Sequence, residues 1–378
     1  MAAVFPIEEY TERQNRFRKE LEKAEVDICV VTSPESLCYL TGHATPGYYT
    51  YQALVFPTEG EPILIMRESE VINAEESTWF DAKRIEGYPD NVDPIEVTMR
   101  IIKAAGRATR IGFDSRSWFL TPSQYLRLLE GLSPEKIVSV DDALGRIRLV
   151  KSPLEIDSVR AAAKIVNTTA AAAVAAIAPG VRERDIAAIM FDRMVRDGSE
   201  FLGMEPFVAS GPRSGNIHAT WTEREIHEGE PVLIELAAAK NRYHAVLMHT
   251  AIVGRLPEDL QRVADTCAKA RDATIAAMQP GVTAESCHKA CVKTIDDEGL
   301  MEFYRKRTGY SVGIAFAPDW GEGGILSLGY GQTTRLEPGM VVHAVPAIRI
   351  PGRGGVGLSS TVLITDDGPE VLTHVGTM

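Results

Sequence analysis

A short signature that occurs twice constrains the fold of this chain more than any other feature. Ala-Pro-Gly-Val ends at Val181 and Gln-Pro-Gly-Val ends at Val282, about 100 residues apart. Each copy follows a long stretch of helical pattern, residues 153–178 and 257–278, and Pro with Gly ends a helix. Each copy also precedes a second, shorter helical stretch. Two copies of one helix–turn–helix unit predict internal pseudo-twofold symmetry in the C-terminal part of the chain.

The character of the sequence changes near residue 150. Before this point, short apolar strands alternate with amphipathic helices, which is the pattern of an α/β domain. After it, Ser152, Pro153 and Glu155 form a helix-capping signature. A length of 378 residues suits two domains. We therefore predict an α/β protein (α+β in its second half) with a small N-terminal α/β domain, residues 1–150, and a C-terminal domain, residues 151–378.

The C-terminal domain also contains stretches that alternate or run apolar in the manner of strands. They are residues 231–237, 244–253, 341–350 and 360–365.

Composition excludes several classes of partner. The formal net charge of −12 argues against nucleic acid, which would require a basic face. The longest apolar runs are broken well before the ~20 residues that a membrane span needs. Residues 1–8 lack the features of a secretory signal, so we expect a cytoplasmic protein. Five cysteines without a C-x-x-C motif argue against a disulfide framework or a zinc knuckle.

Five motifs, in order along the chain, resemble the creatinase/prolidase/aminopeptidase P family. They are SPESLCYLTG (33–42), RLVKSPLEIDSVR (148–160), FVASGP followed by His218 (207–218), LEPGMVV (336–342) and TVLIT (361–365). The resemblance implies the family's pita-bread fold: a small creatinase-like N-terminal domain followed by a pseudo-twofold catalytic domain. The twin Pro-Gly units fit that fold.

The metallopeptidases of this family bind two divalent metals through two Asp, one His and two Glu. The resemblance places these ligands, in chain order, at Glu235, Val246, Tyr310, Val345 and Ser359. Two dications need several carboxylates, and four of the five positions cannot supply one. The resemblance therefore implies a branch without metal or other cofactor.

Creatinase and ectoine hydrolase are branches of this kind, and both hydrolyse a C–N bond of a small guanidino or amidine compound. Residues 242–244 and above all residues 308–322, with Gly-Tyr and Pro-Asp-Trp-Gly-Glu, resemble ectoine hydrolase most. One departure is Ser359, where ectoine hydrolases keep a Glu. The resemblance implies that Glu235 attacks the substrate carbon as a nucleophile and that His218 serves as acid and base.

Several further side chains are predicted to bind the small-molecule substrate. The aromatic rings of Tyr310 and Trp320 are expected to line the substrate site and to suit a cationic ligand. His343 shares a strand face with Val345, so it is expected to point toward the same site. The dense aromatic loop at residues 45–51 is expected to cover the catalytic cleft of the second subunit in a homodimer. The full set of predicted substrate-binding residues is Tyr310, Trp320, His343, His244, Tyr243, Tyr48 and Tyr49.

Three other functions stay open. One is a creatinase-like amidinohydrolase, although creatinase keeps acidic residues near Met248 and Ser359. Another is a metal-dependent Xaa-Pro peptidase with a site rebuilt from Glu235, His244 and His343. The third is a non-catalytic binding module, which the loss of metal ligands would suit. The exact substrate is not determined by these residues.

Overall fold

The computed structural model describes residues 3–106, 108–304 and 306–376. The chain divides into two compact units, Met1–Arg148 and Leu149–Met378. Among the described residues, no helix is both long and apolar enough to cross a membrane.

The first unit alternates helices and strands, as its sequence pattern predicts. Its helices are α1 (Ile7–Lys23), α2 (Pro34–Thr41), α3 (Val71–Ser77), α4 (Pro94–Ala104), α5 (Pro122–Leu132) and α6 (Asp141–Leu149). Its strands are β1 (Ile28–Val31), β2 (Ala53–Pro57), β3 (Ile63–Arg67), β4 (Ile85–Tyr88), β5 (Arg110–Phe113) and β6 (Lys136–Ser139). They form one mixed sheet in the order β4-β3-β2-β1-β5-β6. Strands β1, β5 and β6 run parallel, and β1 is buried along its whole length.

The second unit carries long helices and antiparallel strands. Its helices are α7 (Pro153–Ala176), α8 (Glu183–Arg196), α9 (Glu258–Ala276) and α10 (Ala284–Asp297). Its strands are β7 (Phe207–Ser210), β8 (Pro231–Lys240), β9 (Tyr243–Ile252), β10 (Gly309–Ser311), β11 (Ser327–Leu328), β12 (Val341–Ala344), β13 (Ala347–Ile350), β14 (Gly354–Gly357), β15 (Ser360–Thr365) and β16 (Gly368–Val371). Three sheets result, β7-β8-β9, β11-β10-β12-β15-β16 and the pair β13-β14.

Backbone hydrogen bonds confirm the predicted duplication. Gly180 N donates to Ile226 O at 2.9 Å, and Gly281 N donates to Leu336 O at 2.7 Å. Both glycines have φ near +85°, at 86° and 83°, a conformation that favours glycine over other residues. Strands β8 and β12 each begin five residues after the acceptor of this bond. The two halves of the unit therefore repeat one plan, and the capping box of Ser152 and Glu155 starts the first repeat as predicted.

The prediction of one strand over residues 341–350 was wrong. The structure divides the segment into β12 and β13, which belong to different sheets. The break falls at Val345 and Pro346, and proline cannot donate to a ladder. Val345 N instead donates to Thr308 O at 2.7 Å. This break gives β13 a direction of its own and allows it to pair with β14.

Candidate active site

Glu235 lies in the middle of β8, the central strand of a three-stranded antiparallel sheet. It pairs with Phe207 on β7 and with Met248 on β9, so these side chains share one face of the sheet. Only 7% of Glu235 is exposed. Burial raises the pKa of this carboxyl, and the cations of Lys306 and Arg349 oppose that shift. A carboxylate held in this way is short of solvation and close to positive charge.

Neither cation belongs to the set of site residues predicted from the sequence. Arg349 lies on β13, two residues after Ala347, which packs with Leu233 and Met248 in one apolar cluster. Lys306 lies two residues before Thr308, whose carbonyl accepts the Val345 amide. Burial lowers the pKa of both cations, while Glu235 acts to raise it. Among the described residues, neither cation forms an ion pair with Glu235.

Neither cation had a usable signal in the sequence. Residues two apart on a strand share a face, and this reasoning linked His343 to Val345. It does not extend to Arg349, because the strand breaks at Val345 and Pro346 and β13 belongs to a different sheet. A basic run such as Lys306-Arg307 is typical of solvated surface.

His218 lies in the loop after β7 and stacks on Phe207, with ring centroids 5.5 Å apart. Because Phe207 pairs with Glu235, the structure brings the two predicted catalytic residues to the same face. The His218 side chain is largely exposed. Partial burial, Arg349 and Lys306 hold the pKa of His218 below its ordinary value, and Asp319 opposes them. The imidazole is therefore placed to exchange protons with solvent and with a group bound near Phe207.

The Glu183 carboxylate forms hydrogen bonds with both ends of the loop that contains His218. Its carboxylate accepts from Ser210 N at 2.8 Å and from Thr222 N at 2.9 Å, and both hydroxyls donate to it as well. Arg213 also donates to Glu183. Helix α8 thus fixes the loop, although His218 itself adopts a positive φ of 56°.

Tyr310 and Trp320 lie together beside this face. Trp320 Nε1 donates to Tyr310 Oη at 2.9 Å, and the Trp320 ring meets Phe207 with centroids 5.4 Å apart. Burial, with Glu235 as a second cause, raises the pKa of the Tyr310 phenol, so it stays neutral. The two predicted aromatic residues therefore form a continuous wall with Phe207 and His218.

His343 pairs with Tyr310 across the β10–β12 ladder, and their rings lie 5.1 Å apart. Its Nε2 lies 2.6 Å from Ser359 Oγ, and that oxygen accepts from Met248 N at 2.6 Å. The Ser359 hydroxyl thus bridges the His343 ring and the backbone of β9. Burial lowers the pKa of His343 to about 3. Nδ1 has no hydrogen-bond partner among the described residues.

The structure places His244 and Tyr243 away from Glu235, although His244 lies on the same face of the sheet. His244 Nδ1 lies 2.9 Å from Arg242 O, and its Nε2 accepts from Gly203 N at 3.2 Å. Tyr243 Oη donates to Glu155 at 2.7 Å. Both residues lie near the turn of the β8–β9 hairpin, roughly 13–16 Å along the strand from the Glu235–Met248 pair. Their buried polar atoms are engaged within the framework instead of in the predicted substrate contact.

Tyr48 and Tyr49 lie in a turn of the first unit, Pro46–Tyr49. Tyr49 is 79% exposed, whereas Tyr48 meets Phe119 edge to face at 5.3 Å. Tyr51, which belongs to the same predicted aromatic loop, is buried and its hydroxyl lies 3.0 Å from Thr98 Oγ1. Of the three tyrosines in this loop, Tyr48 and Tyr49 therefore reach the surface of this unit, whereas Tyr51 does not.

The residues at the implied ligand positions do not fit two metal ions. Val246 and Val345 are buried aliphatic residues, and Ser359 is engaged with His343 and Met248. In residues 3–106, 108–304 and 306–376, no group of three or more His, Cys, Asp or Glu side chains could hold a metal. Glu235 is the one carboxylate at these positions, and the cations of Lys306 and Arg349 act on it. Both ring nitrogens of His244, which the rebuilt metal site would need, have backbone hydrogen-bond partners.

Fold and site together define a duplicated hydrolase domain that follows a smaller α/β unit in the chain. The chain belongs to metallopeptidase family M24, whose family model matches residues 157–366. Residues 13–150 match the creatinase/prolidase N-terminal domain. The pita-bread fold and the family that the motifs indicate are thereby confirmed.

Proteins similar to this chain carry the names of several different hydrolases. An uncharacterised hydrolase/peptidase of Sinorhizobium fredii, y4tL, is 30% identical over 98% of this chain and 96% of its own. Ectoine hydrolase of Halomonas elongata is 26% identical over 97% of this chain and 96% of its own. Among solved structures, a prolidase from Thermococcus sibiricus has a TM-score of 0.88 at 22% identity, covering 97% of each chain. This last likeness shows the fold alone.

Proposed function

We propose that this hydrolase cleaves a C–N bond outside peptides, in a small cyclic amidine, lactam or guanidino compound, without a metal ion. The main support for this proposal is the environment of Glu235. It is the one acid at the five positions implied for metal ligands, and the cations of Lys306 and Arg349 act on it electrostatically. The likeness to ectoine hydrolase over nearly the whole chain supports the same reaction class.

Glu235 supplies the nucleophile in this proposal. Its carboxylate oxygen attacks the amidine or carbonyl carbon and forms a C–O bond. The C–N bond then breaks, and the leaving nitrogen takes a proton from His218. Water next adds to the same carbon, gives a proton back to His218 and displaces the Glu235 carboxylate. One water is added across the C–N bond, and the enzyme returns to its first state.

The aromatic wall holds the substrate against Glu235. Phe207, Trp320 and Tyr310 form contiguous ring contacts on the side of the site that also carries His218. A flat amidinium or lactam ring fits such a surface, and a cationic ring gains from the π faces. Tyr310 remains neutral and is a hydrogen-bond partner for the departing nitrogen.

The enzyme is further proposed to act in the cytoplasm as a homodimer. In this arrangement the exposed Tyr49 and its neighbour Tyr48 cover the partner's cleft and exclude water from the covalent intermediate.

A substrate panel tests the proposal. Purified protein is incubated with ectoine, 5-hydroxyectoine, creatine and a Xaa-Pro dipeptide, each with and without chelator, and products are identified by mass spectrometry. Ring opening of a cyclic amidine in the presence of chelator is the expected result. Chelator-sensitive cleavage of the dipeptide would replace the proposal with a peptidase, and urea release from creatine would favour the creatinase-like reaction.

A trapping experiment tests the covalent step. His218→Asn keeps a polar side chain of similar size but cannot relay protons. With a substrate found in the panel, wild-type protein quenched during turnover should carry an adduct on the peptide that contains Glu235, and this variant should form that adduct more slowly because it lacks the proton for the leaving nitrogen. Turnover by the variant at the wild-type rate would remove His218 from the reaction.

A further inference from the structure

A buried ion pair between Lys151 and Glu322 lies next to the aromatic wall and has no part in the proposed chemistry. Lys151 Nζ lies 2.8 Å from Glu322 Oε2, and the two side chains are 1% and 3% exposed. Ser311 completes the cluster, because its hydroxyl donates to Glu322 Oε2 at 3.1 Å and accepts from Lys151 Nζ at 3.2 Å. Lys151 Nζ also donates to Leu149 O at 3.3 Å. The cluster is therefore shielded from water, and its polar groups bond to one another.

Three segments that are distant in the chain meet at this cluster. Lys151 is held by its backbone, since Lys151 N donates to Gly339 O at 3.0 Å, shortly before β12 begins. Ser311 is the last residue of β10. Glu322 ends the Pro-Asp-Trp-Gly-Glu loop, and Glu322 N donates to Ser311 O at 2.7 Å. The ion pair thus joins the segment before α7 to the two segments that form the aromatic wall.

The loop packs too closely against its surroundings to shift without disturbing them. A Cβ at Gly321 would lie 2.6 Å from Tyr310 Cε2, and a Cβ at Gly313 would lie 2.7 Å from Glu322 Cδ. Trp320 stands immediately before Gly321, and its indole N–H donates to Tyr310 Oη at 2.9 Å. A displacement of the Glu322 side chain would therefore be transmitted to the contact between the two aromatic residues.

Because a buried ion pair is costly to desolvate, stability alone does not explain this one. Apolar side chains of similar volume often stabilise a fold equally well or better. A charge-assisted hydrogen bond differs in being directional, and a fully satisfied polar cluster in the interior rigidifies its surroundings. Arg160 and Glu370, a pair of the same unit whose side chains are 42% and 41% exposed, lack that effect because water competes for both groups. The geometry that the buried pair imposes is therefore its distinctive contribution.

We propose that Lys151 and Glu322 are positioning residues for substrate binding. Their ion pair sets the place of Trp320 against Tyr310 and thereby the shape of the aromatic wall. Both residues act through the wall and not through contact with the substrate. The inference rests on the proposed function in one respect, that this wall binds the substrate ring. Loss of the pair would leave the proposed nucleophile and acid in place, so it should weaken binding of the ring more than it slows the chemical steps.

A neutral replacement of the whole pair tests this proposal. Lys151→Met with Glu322→Gln removes both charges at nearly constant side-chain size, so the fold should persist. With a substrate found in the panel, KM should rise about 10-fold or more while kcat changes by less than about 3-fold. Adding Tyr310→Phe should then cost little further kcat/KM, because the pair and the phenol act through one contact. An unchanged KM, or effects of the pair and of Tyr310 that multiply as independent changes do, would overturn the positioning role.

The indole of Trp320 gives a readout that needs no turnover. The chain has four tryptophans, so the emission of Trp320 is obtained as the difference between each protein and its Trp320→Phe counterpart. In the double variant this emission should shift to the red and be quenched more readily by acrylamide. Unchanged Trp320 emission in the folded double variant would overturn the proposal. The readout is the same if the substrate panel shows no C–N hydrolysis, so the two proposals fail separately.

A milder variant and a control complete the test. Ser311→Ala removes only the hydroxyl that bonds to both charges, so it should keep the fold and give a smaller change of the same kind in KM and in Trp320 emission. If circular dichroism shows that the double variant does not fold, wild-type KM and emission in Ser311→Ala would overturn the proposal. Arg160→Met with Glu370→Gln removes the exposed pair of the same unit and should alter neither KM nor the emission of Trp320.

Discussion

Trp320 donates its indole N–H to the phenolic oxygen of Tyr310 at 2.9 Å, and this bond joins the Pro-Asp-Trp-Gly loop to strand β10. Because the oxygen accepts from Trp320, its own proton is available to a bound group. Tyr310→Phe should therefore lower kcat/KM by about 10-fold, the effect of one lost hydrogen bond in a buried site. The fold should persist, and tryptophan fluorescence should shift as Trp320 loses its acceptor. Unchanged kinetics with a shifted spectrum would make Tyr310 a framework residue only.

Glu235→Gln should abolish turnover and preserve the fold. The substitution is nearly isosteric, but an amide is a poor nucleophile, and a lost nucleophile costs on the order of 10⁴–10⁶ in rate. Thermal unfolding and activity are measured on the same preparation. Activity above about a tenth of the wild type would show that the nucleophile lies elsewhere.

The protein should purify without stoichiometric Zn, Mn, Co or Fe, and chelators should leave its activity unchanged. The physical reason is the donor set: of the five implied ligand positions only Glu235 carries a carboxylate, and the cations of Lys306 and Arg349 act on it. Elemental analysis gives the metal content directly. Two metal equivalents per chain, lost together with activity on dialysis against chelator, would contradict the expectation.

Tyr48→Ala and Tyr49→Ala should raise KM or lower kcat while the protein stays dimeric. Tyr49 is exposed in the isolated chain, so its removal should cost little stability, whereas Tyr48 also loses its contact with Phe119. Trp118→Ala, another exposed aromatic outside this loop, is the matched control and should leave kinetics unchanged. Light scattering gives the assembly state. A fully active monomer would refute both the dimer and the shared cleft.

The free energy of unfolding should fall as pH drops below about 6.5. Burial depresses the pKa of His244 and His343 to about 3, and of His43 and His249 to about 4. Below pH 6.5 these histidines are protonated in the unfolded chain but stay neutral in the folded chain. The free energy of unfolding that the protein has above pH 6.5 is therefore lost progressively as the pH falls toward the folded-state pKa values of about 4 and about 3. Each such group contributes up to ~1.4 kcal/mol per pH unit.

Urea unfolding at pH 7 and pH 5 measures the net effect, in which Asp114, whose pKa burial raises to about 7, opposes the four histidines because the folded chain takes up its proton in this window. His244→Asn should be less stable at pH 7 but should lose less stability between the two pH values. An identical loss in wild type and variant would show that His244 does not contribute to the pH dependence.

Local chemistry in the sequence determined much of the fold. The Ser152–Glu155 capping box and the Pro-Gly stops after the long helices follow from short-range rules, and each appears in the structure. The apolar strands do as well, except that residues 341–350 form two strands instead of one. Glu235 could also be selected in advance, because the family resemblance places it at a metal-ligand position. His218 followed from a motif that begins at Phe207, although Phe207 itself was not predicted as a site residue.

Tertiary structure alone decided which charges meet Glu235 and which predicted residues stay away from it. Lys306 and Arg349 are far from Glu235 in the chain, and no local period links them to it. Pro346 ends β12 and redirects the next strand, which is how Arg349 reaches this face. His244 satisfied the same strand pattern as a site residue, yet long-range partners engage both of its nitrogens. Burial and charge balance depend on chain segments that meet only after folding, so they set the chemistry of this site beyond what its motifs could specify.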